Sequence, residues 1–210
     1  AHKIGMDIII TDHHLPTTPL PPATAVVDPK RADSIYPSPE LAGVGVAFKL
    51  LQALLWHSGR EEILNNCLDL VALGTVTDMA PLIGENRYLV KSGLKALNVN
   101  RRLGLTEMIG CAGLESAELK TETISWILGP RLNAAGRIDH AITGYRLLVT
   151  QFADEARHLA AELEEKNSQR QQITNEFFKE IREGLIATST ESPLLIAKGE
   201  SYPPGVIGIV

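Results

Sequence analysis

The stretch "IIITDHHLP" (residues 8–16) decides the fold class, because a β-branched run is followed directly by three polar residues. Residues 8–11 are apolar or β-branched and lie between Gly5 and Pro16. Such a run predicts a fully buried strand of a parallel sheet. In open α/β sheets, ligands bind at the carboxyl ends of the strands. The residues that follow this strand are therefore candidates for a functional site.

Three consecutive residues at that strand end, Asp12, His13 and His14, carry side chains that can ligate a metal ion. Successive side chains of a regular strand point to opposite faces, so both histidines can serve one ion only if the chain leaves strand geometry here. Pro16 favours this departure, because it keeps Leu15 extended and stops a helix from starting. The alternative is that these residues only cap the strand, and the local sequence leaves both open.

Composition limits the function classes. The chain has 210 residues, 44% of them hydrophobic and 21% charged, which is typical of a globular protein. A net charge of -5 argues against a protein that coats nucleic acid by charge alone. It does not exclude a nucleic-acid enzyme, because bound divalent metals and a local arginine cluster can hold phosphate.

Cysteine usage and the chain ends give further expectations. Cys67 and Cys111 have no C-x-x-C spacing and sit among apolar neighbours, which favours buried, reduced thiols over a disulfide. There is no signal peptide and no apolar run near 18 residues, so we expect a soluble, cytoplasmic protein. The chain starts without Met and stops at "GVIGIV", which predicts an internal fragment of a longer protein.

The remaining pattern predicts an α/β protein. Residues 23–28 predict a second strand, residues 40–58 a buried helix, residues 61–83 a further helix and residues 86–97 a short one. Several short helices are expected over residues 105–145.

A long helix is predicted from Asp154 to about Leu185, with apolar positions at both ends. Its centre, "EEKNSQRQQ" (164–172), has no apolar residue, which favours a connector that crosses solvent between two domains. A coiled-coil arm is the alternative, but no a/d pattern crosses the centre. "PLLIAK" (193–198) would then be the first strand of the second domain.

A second candidate site lies in "LDLVALGTVTDMAPL" (68–82), an apolar helix that presents Asp78 near its end. A carboxylate in apolar surroundings is costly unless it binds a cation or accepts several hydrogen bonds. Asp78 could instead cap a following helix, with Pro81 near its start. Asp69 lies in the same helix without such a break, and we expect it to be structural or exposed.

A third candidate is "GPRLNAAGR" (129–137), in which Arg131 and Arg137 flank Asn133. Guanidinium groups bind phosphate in a bidentate manner, and the small residues allow a close approach. Two surface arginines around a tight helix contact are the ordinary alternative. The G-x-G of "AGVGVAF" (42–48) lacks the further residues of a phosphate loop, and close helix packing explains it better.

Together the histidines and aspartates suit a hard metal ion such as Mn²⁺, Mg²⁺ or Zn²⁺. Two such ions can hold both the attacking and the leaving oxygen of a phosphodiester. A two-ion site needs about five or six protein ligands, and this chain offers at most four.

Four segments in this order, "TDHHLP", "LAGVGVAFKL", "DLVALGTVTDMAPL" and "LGPRLNAAGRID", resemble the RecJ-type exonucleases of the DHH phosphoesterase superfamily. The resemblance covers the whole chain. It implies a partial α/β DHH domain and a 5′-to-3′ exonuclease that hydrolyses single-stranded DNA in repair and recombination, with Mn²⁺ or Mg²⁺ as cofactor. It also implies that this chain is inactive by itself.

The resemblance assigns roles at matching positions. The catalytic group comprises Asp12, His13, His14 and Asp78, of which the two histidines and Asp78 hold the metal pair. The substrate-binding group comprises Arg131, Asn133 and Arg137.

The domain boundaries implied are residues 1–150 for the end of the DHH domain with its helical insert, 151–190 for the connector helix and 191–210 for the start of the DHHA1 domain. The family's upstream aspartate motifs are absent from this chain. Tyr202-Pro203 stands where relatives carry an aromatic-histidine pair, which puts in doubt a histidine role there.

One rival function is that of a nanoRNase or cyclic-dinucleotide phosphodiesterase, but those relatives lack the insert that residues 129–137 represent here. The other rival is a non-catalytic DNA-binding scaffold, but such a relative has lost metal ligands, whereas this chain keeps His13, His14 and Asp78. The resemblance implies single-stranded DNA as substrate, allows a single-strand-binding protein and a helicase as partners, and involves no membrane.

Overall fold

The computed structural model describes residues 2–99, 101–187 and 204–208. In these ranges a short 3₁₀ turn, His2–Ile4, precedes strands β1 (Ile9–Thr11) and β2 (Ala25–Val27). The α-helices are α1 (Gly43–Leu55), α2 (Glu62–Asn65), α3 (Leu68–Thr77), α4 (Gly84–Val99), α5 (Leu103–Cys111), α6 (Thr121–Thr123), α7 (Gly129–Ile138), α8 (Ile142–Val149), α9 (Ala153–Ala187) and α10 (Pro204–Ile207). A π-helical turn, Ile124–Leu128, joins α6 to α7.

The two strands pair in parallel, with Ile10 opposite Val26, which confirms the predicted parallel sheet. The predicted full burial of β1 is wrong, because Ile9 is 61% exposed. Among the described residues the sheet has only these two strands, and the face that carries Ile9 is not covered. β-Branched residues therefore indicate the strand but not what packs on it.

The described structure divides into two compact units. The first comprises residues 1–101 and 118–129, and the second comprises residues 102–117 and 130–210. The first contains the sheet, α1 to α4, α6 and the π-helical turn.

An apolar cluster forms the centre of the first unit, with buried residues from α1, α3, α4 and the segment before α1: Leu41, Val46, Phe48, Val71 and Leu89. Beside it, the Tyr36 hydroxyl donates a hydrogen bond to Glu85 Oε2, and Lys49 Nζ lies 2.8 Å from Glu85 Oε1. Burial acts to raise the pKa of Glu85, but the bonds from Lys49 and Tyr36 outweigh it and hold that pKa below its ordinary value.

Helix α3 packs tightly against α1 at Gly74. A Cβ atom at this position would lie 2.7 Å from Val44 Cγ1, so the contact requires glycine. This packing fixes where the carboxyl end of α3 lies relative to the amino end of α1.

The helix predictions agree in part with the structure. The helix expected over 61–83 is divided, because Asn66 and Cys67 separate α2 from α3 and the chain leaves α3 after Thr77. The short helices over 105–145, the helix over 86–97 and the long helix were predicted correctly. Segment 193–198 and residues 202–203 lie outside the described residues.

The first part of the polar centre of α9 packs on protein, contrary to the prediction, whereas its later part, including Ser168 and Gln171, is exposed. Asn167 is 1% exposed, and Glu164 and Lys166 form ion pairs with Arg131 and Asp139 in the second unit. A polar helix stretch thus packs on protein when charged partners meet it. The role of α9 as a connector between domains stays a prediction.

Cys67 and Cys111 are both free thiols, as expected. Cys67 is only partly buried and Cys111 is exposed, so the predicted burial is wrong.

Among the described residues, none of the helices combines the length and the apolar character required to span a bilayer.

Candidate metal centre

The chain leaves strand geometry at Asp12, as a shared metal site requires. The Asp12 backbone N–H donates to the Val27 carbonyl, which continues the parallel ladder one step beyond β1. Asp12 Oδ1 then accepts the backbone N–H of His13 at 2.7 Å and of His14 at 3.2 Å. A carboxylate that accepts from the second following residue closes an Asx turn. The aspartate therefore makes the turn that brings both histidines to one side.

The turn gathers the three side chains. His14 Nδ1 lies 2.8 Å from Asp12 Oδ1, and the His13 and His14 ring centroids are 4.2 Å apart. One potential ligand atom from each of the three residues lies within 4.8 Å of the others. This cluster is compact enough for a single metal centre.

The hydrogen bonds also keep Asp12 ionised. The bond with the His14 side chain, followed by those from the His13 and His14 backbone, lowers the pKa of Asp12 to about 2. Asp12 is therefore a carboxylate at any physiological pH. By holding Nδ1 of His14 it leaves Nε2 of that ring for a ligand.

Asp78 reaches the cluster from the carboxyl end of α3. The Asp78 Oδ2 atom lies 3.5 Å from His13 Nδ1, and the His13 side chain is 17% exposed. Two ligands of one ion, each about 2 Å from it, lie about 3 Å apart or slightly more. The separation therefore suits a shared ion.

The backbone explains how Asp78 is held. Asp78 is the C-cap of α3, the Met79 N–H donates to the Val76 carbonyl, and the Ala80 N–H donates to the Thr75 carbonyl. This is the Schellman pattern, in which the residue after the cap adopts the left-handed region, and Met79 has φ 55°. The alternative that Asp78 caps the following helix is wrong, because α4 begins only at Gly84.

The absence of a side chain at Gly43 leaves room for the His13 ring. A Cβ atom at this position would lie 3.0 Å from His13 Cδ2 and 3.4 Å from His13 Nε2. The sequence explained this glycine by close helix packing, whereas the structure places it beside the metal cluster. Its role was missed because the contact joins residues 30 positions apart in the chain.

The surroundings of Asp78 fit a hydrated hard cation. The hydroxyl groups of Thr75 and Thr77 are buried and have no hydrogen-bond partner among the described residues. Buried hydroxyls normally have one, and a bound water or ligand oxygen would supply it. The carbonyl groups at the end of α3 add partial negative charge. Imidazole and carboxylate donors with this environment suit Mn²⁺ or Mg²⁺ better than a thiolate-bound metal.

Asp69 has a structural role. It is 5% exposed, and its Oδ1 accepts the backbone N–H of Leu70 at 2.8 Å in the first turn of α3. A carboxylate at a helix amino end is stabilised there. This agrees with the expectation from the sequence.

The three candidate substrate-binding residues lie on α7 in the second unit, whereas the metal cluster lies in the first. Arg131 donates through Nε and Nη2 to both oxygens of Glu164, and Arg137 Nη1 donates to the Gly205 carbonyl at 2.8 Å. Asn133 is exposed. Contact of these residues with substrate stays a prediction.

Comparison with known proteins places the cluster in a family context. Residues 1–75 match the family model described as "DHH family, N-terminal domain". The chain is similar to the single-stranded-DNA-specific exonuclease RecJ of Bacillus subtilis (strain 168), with 41% identity over 210 residues. The match covers 100% of this chain and 26% of that relative. The chain thus spans about a quarter of the relative's length.

Solved structures show the same similarity. RecJ from Thermus thermophilus in complex with Mn²⁺ gives a TM-score of 0.76 at 34% identity, covering 99% of this chain and 30% of that one. An exonuclease RecJ bound to manganese gives a TM-score of 0.79 at 34% identity, covering 98% of this chain and 51% of that one. The fold of the described residues is therefore that of a RecJ segment.

Proposed function

Because this chain is a segment of RecJ type whose residues 1–75 carry the DHH family N-terminal domain, we propose that the full-length protein hydrolyses phosphodiester bonds of single-stranded DNA from the 5′ end. One observation carries the proposal: Asp78, 64 positions from His14 in the sequence, lies beside the Asp12-His13-His14 cluster. A carboxylate and imidazole cluster of this kind suits Mn²⁺ or Mg²⁺.

Each of the four side chains has a separate task in this mechanism. His13 and Asp78 present facing donor atoms, His14 presents the ring nitrogen that Asp12 leaves open, and Asp12 orients that ring. A pair of divalent ions, when bound, supplies charge neutralisation at the scissile phosphate and activation of the attacking water.

The scaffold keeps these donors in position before substrate arrives. The Asx turn fixes the two histidines, and the Schellman motif fixes Asp78, so little reorganisation is needed at the moment of reaction. A two-ion centre needs about five or six ligands, so the proposal requires further ligands from parts of the protein outside this chain.

Substrate contacts follow from the charge of the strand. We assign Arg131, Asn133 and Arg137 to the phosphate backbone, because guanidinium groups bind phosphate in a bidentate manner. In this assignment the Arg131 guanidinium group contacts both Glu164 and the phosphate. We further propose that the enzyme acts in the cytoplasm and that a single-strand-binding protein and a helicase deliver the exposed strand it needs.

The test uses the full-length protein with Mn²⁺ on 5′-labelled single-stranded and double-stranded DNA. We expect mononucleotide release from the single strand only. Asp78→Asn should lower the rate at least about 100-fold, because loss of a metal ligand removes several kcal/mol of transition-state stabilisation. Asp154→Asn is the matched control, since this carboxylate is exposed and lies in the second unit.

The outcomes separate the rival functions. A folded protein that binds Mn²⁺ but cleaves no DNA would contradict the proposal and favour a non-catalytic DNA-binding scaffold. Preferential cleavage of cyclic dinucleotides or very short RNA would favour another DHH-type phosphodiesterase. Equal losses in Asp78→Asn and Asp154→Asn would remove Asp78 from the centre.

A further inference from the structure

A hollow of about 290 Å³ opens in the first unit at the end of α3. Its walls come from the end of α3, the segment after it, α6 and the π-helical turn: Val76, Met79, Ala80, Leu82, Thr121, Glu122, Ser125 and Trp126. Met79 directly follows Asp78 in the chain, so the hollow begins at the residue next to the candidate metal ligand.

Trp126 presents most of its indole to solvent. It is 79% exposed, and it lies in the π-helical turn Ile124–Leu128. Single π-helical turns are rare and occur often at functional sites. A large aromatic ring exposed at the edge of a hollow offers a flat apolar surface to a ligand.

Met79 adopts a backbone conformation that is unfavourable for a residue with a side chain. Its φ of 55° lies in the left-handed region, where a side chain costs about 1–2 kcal/mol and glycine is the usual residue. Its side chain is 88% exposed. The Schellman motif at the end of α3 accounts for this conformation, and its consequence is an exposed apolar side chain at the wall of the hollow.

The charge of the hollow favours a neutral occupant. The backbone N–H of Glu122 and then the Thr121 hydroxyl lower the pKa of the Glu122 carboxyl, so the group is an anion at neutral pH. A phosphate is repelled by this carboxylate, whereas the amino edge of a nucleobase can donate a hydrogen bond to it. The Thr121 and Ser125 hydroxyls can donate or accept.

We propose that this hollow holds one base of the single strand, stacked on Trp126 and in contact with Met79, while its phosphate lies at the Asp78 side. The inference rests on the proposed function, because that function places the scissile phosphate beside Asp78. An unpaired base exposes both ring faces, whereas a paired and stacked base does not, so the contact would also favour single strands.

The experiment scans abasic residues through the first positions of single-stranded DNA, with the full-length protein and Mn²⁺. Binding is read by fluorescence anisotropy before Mn²⁺ is added, so that the DNA stays intact, and cleavage by mononucleotide release after it is added. We expect one position at which loss of the base weakens wild-type binding about 10-fold, the typical effect of one base–aromatic stack. Trp126→Ala should lose about 10-fold on ordinary DNA and become insensitive to the abasic residue, and Trp126→Phe should keep most of the affinity.

Trp56→Ala is the matched control, because Trp56 is also exposed in the first unit, at 67%, but does not line the hollow. It should keep the wild-type sensitivity. If Trp126→Ala responds to the abasic residue as wild type does, the stacking is refuted while the proposed exonuclease stands. If wild type shows base-dependent binding through Trp126 but cleaves nothing, the hollow is supported and the exonuclease function fails.

Discussion

Replacing Gly43 by alanine tests how the metal centre is held. The new Cβ would lie 3.0 Å from His13 Cδ2, whereas carbon atoms in contact prefer about 3.5–4.0 Å. Because the His13 ring is the end of a side chain, it can turn away by roughly 0.5 Å, the tolerance within which ligand geometry must be kept. Gly43 is the first residue of α1, and alanine favours a helix over glycine by up to about 1 kcal/mol.

The two effects separate in the measurement. We expect the free energy of unfolding to change by less than about 1 kcal/mol, because the gain in helix propensity offsets the shift of the ring. Mn²⁺ affinity of the full-length protein should fall about 10-fold or more, the size typical of disturbing a residue that orients a metal ligand. Isothermal titration with Mn²⁺ and urea unfolding measure the two quantities.

Gly110→Ala is the control substitution. Among the described residues, the nearest neighbour of its Cβ would be Glu115 Oε1 at 3.7 Å, so the substitution adds the same methyl group to helix α5 without a close contact. It should leave Mn²⁺ affinity unchanged. If Gly43→Ala protein folds normally and binds Mn²⁺ as tightly as wild type, the role of this glycine in leaving room for His13 is refuted.

Two further predictions concern stability. Glu85→Gln should lower the free energy of unfolding at neutral pH, because the contacts that lower the pKa of Glu85 stabilise only its ionised form. The difference from wild type should shrink as the pH falls below 4.5, the ordinary pKa of a glutamate. Urea unfolding at several pH values checks this, and a difference that does not change with pH would contradict it. Glu164→Gln should cost about 1–3 kcal/mol in urea unfolding, since Arg131, 15% exposed, loses its charged partner; an unchanged midpoint would refute the pairing.

The sequence pattern marked candidates for the metal centre, and the resemblance to the DHH phosphoesterases combined them into one site. The change from an apolar run to Asp12, and from an apolar helix to Asp78, marked both parts of it, because polar groups in apolar surroundings need a partner. The turn at Asp12 was also foreseeable, since two adjacent histidines cannot face one ion from a strand.

Other features depend on packing between distant residues, which periodicity does not report. Apolar character identified β1 but could not show that Ile9 is exposed. The polar centre of α9 was taken for a solvated stretch, since its partners Arg131 and Asp139 lie elsewhere in the chain. Trp126 gave no signal at all, because an exposed aromatic residue and a core aromatic residue look alike in sequence.

The contact between Gly74 and Val44 fixes the position of α3 along its own axis relative to α1. Asp78 lies four residues beyond that contact, about 6 Å further along the helix, and each residue added between them would rotate its carboxylate by about 100°. Substitutions in the interval are therefore tolerable, but an insertion or a deletion of one residue points the carboxylate away from His13. The number of residues between Gly74 and Asp78, more than their identity, therefore determines where the Asp78 carboxylate points.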